Sequence, residues 1–88
     1  MTVFALVNIS DPVKIEAALN QHFAENFLKV SSSVFFVAGR GVTAQNISDK
    51  LGITDGTNGI GIVITSAGYF GRAAQNIWEW INVKVAQP

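Results

Sequence analysis

Val3-Phe4-Ala5-Leu6-Val7-Asn8-Ile9-Ser10-Asp11-Pro12 is the stretch that sets the fold. Its first part is a dense run of branched and aromatic residues, which reads as a strand. Ser10-Asp11-Pro12 then switches the chain to a helix, because Asp is a good N-cap and Pro suits the first helical position. The helix is expected to run to about Phe23, with Ile15, Leu19, His22 and Phe23 on one face.

Working outward, the chain turns β-like from Asn26 to Ala38. Phe27–Val30 and Val34–Ala38 flank three serines, Ser31 to Ser33, and read as two strands joined by a tight turn. A single long strand is the alternative, because serine is a weak turn signal. Gly39-Arg40-Gly41 closes this segment. Thr43 is placed to cap a helix to Leu51, with Ile47 and Leu51 inward and Gly52 as its stop. A loop rich in Gly, Asp, Asn and Thr spans Thr54 to Gly59, and Ile60–Thr65 reads as a further strand. After the turn at Ser66-Ala67-Gly68, a third helix is expected from about Phe70 to Ile81, with Val83-Lys84-Val85 as a possible last strand.

The order β-α-β-β-α-β followed by an extra helix is the ferredoxin-like pattern, an α+β fold. Right-handed crossovers then set one antiparallel sheet in the order 4-1-3-2. With 88 residues there is room for one domain, spanning 1–88.

Composition narrows the function classes. The chain is 49% apolar and 14% charged, with six Lys+Arg against six Asp+Glu. An average soluble domain is about 25% charged. So apolar a chain is not disordered, and a neutral one is not a polyelectrolyte nucleic-acid binder. Without cysteine it is neither a disulfide scaffold nor a zinc finger. No positively charged segment opens the sequence and no apolar run approaches the ~20 residues that span a bilayer. The expectation is a cytoplasmic protein with no membrane contact.

The strands also bear on partners. A half-exposed antiparallel sheet alternates apolar and polar residues. Val3 to Val7, Val34-Phe35-Phe36-Val37 and Ile62-Val63-Ile64 do not alternate. Both sheet faces should therefore be dry, whereas the first two helices cover only one. A homodimer packed through its sheets or terminal helices is expected. The alternative is a monomer whose third helix covers the second face alone. Trp78 and Trp80 lie two apart on that helix, so they point about 200° apart. With Phe70 and Ile81 they form the candidate interface.

The strand ending Val7-Asn8-Ile9, the segment Ser32-Ser33-Val34-Phe35-Phe36 and the helix Thr43–Leu51 carry a resemblance. Over about Val3 to Thr65 the chain resembles the ferredoxin-like superfamily that contains the small CRISPR adaptation endonuclease subunit and the virulence-associated protein D toxins. In that superfamily the first strand commonly ends Tyr-Asp-(Leu/Ile), the Asp being the proposed metal ligand near the dimer axis. Asn8 stands at that place here. An amide is a poor Mg²⁺ ligand beside a carboxylate, and no other carboxylate lies on the strand. The resemblance thus implies a dimeric scaffold that has lost its nuclease site and retains a protein or nucleic-acid contact. The extra helix falls outside the superfamily's core pattern. It would replace the terminal strand that members exchange across their dimer.

Two turns are candidates for anion or nucleotide binding. In Thr65-Ser66-Ala67-Gly68-Tyr69-Phe70-Gly71-Arg72 a strand gives way to a glycine-containing turn that is expected to open a helix. Free backbone N–H groups, the helix dipole, Ser66 and Arg72 would favour an anion, with Gly68 and Gly71 allowing close approach. The plainer reading is an ordinary strand-to-helix turn, and the absence of a Walker lysine excludes a P-loop. Arg40 between Gly39 and Gly41 is the second candidate, a guanidinium placed to meet phosphate or carboxylate. Gly59-Ile60-Gly61 precedes a strand, which is the wrong order for a dinucleotide fingerprint. His22 is the only histidine, and Asp49 and Asp55 are isolated in sequence. No catalytic constellation, cofactor or metal site is expected, and a metal-dependent nuclease is the weakest of the readings.

Overall fold

A computed structural model describes all 88 residues. Its elements follow in the order β1 (Thr2–Val7), α1 (Pro12–His22), β2 (Phe27–Lys29), β3 (Phe35–Gly39), α2 (Ala44–Lys50), β4 (Ile62–Thr65) and α3 (Gln75–Ala86). One four-stranded sheet has the order β2-β3-β1-β4, all neighbours antiparallel. Read from the other edge this is 4-1-3-2, so the fold is α+β with a ferredoxin-like arrangement and a C-terminal helix.

Local chemistry explains the element ends. The Asp11 carboxylate accepts from the Lys14 N–H at 3.2 Å, with Pro12 in the first turn. Thr43 and Asn46 form a reciprocal capping box: Thr43 N–H donates to Asn46 Oδ1 at 2.9 Å, and Asn46 N–H to Thr43 Oγ1 at 3.1 Å. Gly52, at φ 73°, ends α2 in the left-handed region. The serine turn is real: Val30 N–H and Ser31 N–H both donate to the Val34 carbonyl at 3.0 Å.

Alternation along β1 builds two cores. Phe4 and Leu6 face α1 and α2, and with Phe35, Val37, Ile15, Leu19, Ile47 and Leu51 they are essentially fully buried. His22, expected on the inner face of α1, is instead exposed in its last turn, while Ala18 takes the buried place. Val3, Ala5 and Val7 point to the opposite face, across from Ala38, Phe36, Ile64 and Ile62.

The third helix differs from expectation. It begins at Gln75, five residues later than Phe70, and continues through Val83–Val85 rather than releasing them as a strand. Gly68 and Gly71 delay nucleation, and Ala74 in the N-cap position makes no side-chain cap. No helix is long and apolar enough to cross a membrane.

Candidate functional site

The second sheet face holds the one distinctive surface feature. α3 crosses it and buries Ile81 to 5% exposure, on a cavity wall shared with Val3. Trp80 packs on Phe36 of β3, ring centroids 6.4 Å apart. Trp78 turns the other way and meets Tyr69 of the β4–α3 loop at 6.2 Å. The two-sided burial that the Trp78/Trp80 spacing demands is therefore supplied within the chain, by sheet on one side and loop on the other. Ile81, expected at an interface, is spent inside the molecule, and Trp78 and Trp80 are half-buried. Of the four expected interface residues, only Phe70 is free, and it is fully exposed at 103%.

Coverage by α3 stops short of the β4 edge. Ile62 and Ile64 remain 52% and 49% exposed. Between this edge, α3 and the loop lies a cavity of about 340 Å³, walled by Val3, Ala5, Phe36, Ile64, Tyr69 and Ile81, with Thr65 to Gly68 at its side. No ionisable side chain lines it except the Tyr69 phenol. A volume of this size is at the lower end of ligand and anchor pockets.

The candidate anion residues are placed differently from expectation. Ser66 is half-buried, its N–H donating to the Val3 carbonyl at 3.0 Å and its hydroxyl lying 3.4 Å from the Gly68 carbonyl. Gly68, Gly71 and Arg72 are exposed. Because α3 starts at Gln75, these residues stand several positions before its first turn, and the helix dipole does not act on them. Arg40 donates from Nε to the Pro88 carbonyl and so ties the β3–α2 turn to the end of α3. Arg40 and Arg72 are not brought together with the Ser66–Gly68 backbone in the cavity wall.

Charged groups elsewhere are dispersed. No three His, Cys, Asp or Glu side chains gather to hold a metal ion. Asn8 is exposed at the end of β1 with φ 57°. Asn is one of the few non-glycine residues that takes that conformation readily. The Asp55 pKa is held below its ordinary 3.8 by the Thr57 backbone N–H at 2.9 Å and then by the Thr57 hydroxyl. Gly59, discarded as part of a dinucleotide motif, has a backbone role: φ is 90°, and a Cβ there would strike Ser10 Oγ.

Sequence reading missed the cavity and the exposed Ile62–Ile64 edge. Their signal was present in the non-alternating β4, since a hydrophobic edge strand facing no third helix is left open. No protein-family model matches the chain, and no curated protein or solved structure is significantly similar to it.

Proposed function

We propose that the chain is a non-catalytic, homodimeric interaction domain of ferredoxin-like plan, allied to the superfamily of the small CRISPR adaptation endonuclease subunit with Asn8 in place of the metal-site Asp. The observation that carries this reading is the open half of the second sheet face. Ile62 and Ile64 are half-exposed on the β4 edge beside a walled cavity, and the fully exposed Phe70 follows the cavity-wall residue Tyr69. Exposed apolar surface of this kind marks association sites.

A protein surface fits this edge better than a nucleic acid. The six Lys and Arg are spread one each over α1, β2, the β3–α2 turn, α2, the β4–α3 loop and α3. Four of them already have partners: Lys14 pairs with Asp11, Lys29 with Glu16, Arg40 with the Pro88 carbonyl and Lys84 with Asn26 Oδ1. Phosphate binding draws its strength from grouped cations, and here they are scattered.

Native mass spectrometry of the purified protein at tens of micromolar tests the reading. A dimer mass without a bound ligand is expected. A monomer would overturn the homodimer, and Mg²⁺-dependent cleavage of nucleic acid by a highly purified sample would overturn the non-catalytic assignment.

A further inference from the structure

Two anomalies adjoin at the β4–α3 loop. One is the 340 Å³ apolar cavity, which nothing in the chain fills. The other is Phe70, a large aromatic side chain with no contact in its own chain, next in sequence to the cavity-wall residue Tyr69. A knob and a hole of matching chemistry, set one residue apart in the chain, are what an isologous two-fold interface requires, because each copy then offers both halves. We propose that the occupant of the cavity is Phe70 of a second copy of this chain, inserted between Ile64, Ala5, Phe36 and Ile81, with the reciprocal insertion on the other side of the axis. This rests on the homodimer reading and specifies how that dimer is held.

Area and charge both favour a second copy. Phe70 whole, with about half each of Tyr69, Ile62 and Ile64, offers roughly 400 Å² of apolar side chain per protomer. Two copies with their polar rims then bury about 1,000 Å², which is the lower bound for a specific interface rather than for an obligate one. The pairing is accordingly expected to be reversible, with Kd in the micromolar range. Net charge is zero and the cavity lining carries no ionisable group other than the Tyr69 phenol, so an entering aromatic ring meets no charge to desolvate. An aromatic anchor entering a desolvated pocket is the usual form of a dominant interface contact.

Sedimentation equilibrium from about 1 to about 200 μM, spanning that affinity range, compares wild type with Phe70→Ala and Ala5→Leu. The first removes the knob from a site that makes no intramolecular contact, so its fold is retained. The second fills the hole from the sheet side, and its near-UV circular dichroism is checked against wild type. Both variants are expected to weaken dimerisation at least tenfold. A wild-type dimer indifferent to either variant overturns the Phe70 insertion and leaves the homodimer standing. A wild-type monomer throughout overturns both, whether bare or carrying a non-covalent small-molecule mass in native spectra, the latter meaning that the cavity takes a free ligand.

Discussion

Gly59 illustrates how a single backbone position holds distant segments together. Ser10 Oγ accepts from the Ile60 N–H at 2.9 Å, and Ser10 N–H donates to the Ile60 carbonyl at 3.2 Å. This joint fastens the start of the β4 segment to the β1–α1 turn, and it leaves no room for a Cβ at Gly59. Gly59→Ala is expected to cost about 1–3 kcal/mol, from positive φ plus displacement of Ser10, measured by urea denaturation. At Asp55 the expectation concerns pH. Its folded pKa lies below the ordinary 3.8, so its hydrogen bond to Thr57 contributes stability above that value and loses it as pH falls through the lower folded pKa. Carboxyl titration by NMR should place the Asp55 midpoint below 3.8 and return it to the ordinary value in a urea-unfolded sample. A midpoint at or above 3.8 in the folded protein would contradict the Asx-turn account.

At the scale of elements, the first two helices carry side-chain caps at their starts and the third does not. α2 has only seven residues, too few to persist without its caps and its tertiary packing. Thr43→Ala removes the acceptor of the capping box and is expected to destabilise by about 1 kcal/mol, seen as a lower denaturation midpoint. α3 shows the reverse case. Ala74 stands at its N-cap with φ −59° and ψ 147° but has no side-chain acceptor to offer. Ala74→Asp should supply one and stabilise the first turn by about 0.5–1 kcal/mol. Hydrogen exchange should slow at the first amides of α3 while the sheet amides stay unchanged. No slowing there would mean that packing of Trp78 and Trp80, not the end, governs where this helix starts.

For the whole molecule, the two sheet faces are unequal. The helix-covered face is closed by eight side chains under 2% exposed, among them Phe35 and Leu19. A domain of this length has a total stability of about 4–13 kcal/mol. Phe35→Ala is expected to cost about 3–5 kcal/mol, a large share of that total, seen as a strongly lowered midpoint in thermal melts. On the second face the same kind of truncation at Ile62, half-exposed on the edge strand, should cost under 1 kcal/mol in the isolated protomer, because little area is removed from water there. A cost at Ile62 as large as that at Phe35 would mean that the β4 edge is covered in solution even when the chain is alone.

What the sequence by itself determined was local and periodic. The apolar run of β1, Asp11-Pro12, Thr43 with Asn46, the serine turn and Gly52 each carry their instruction within a few residues, and together they settle the element order and the strand order 4-1-3-2. Non-alternation in β1, β3 and β4 also announced that the second face must find cover. Which atoms provide that cover was decided only in three dimensions. Trp78 and Trp80 face different partners because a loop and a sheet converge on opposite sides of α3. The burial of Ile81, the cavity and how much of the Ile62–Ile64 edge stays bare all depend on how far one helix reaches across four strands. That reach is a long-range packing outcome, and no period in the sequence encodes it.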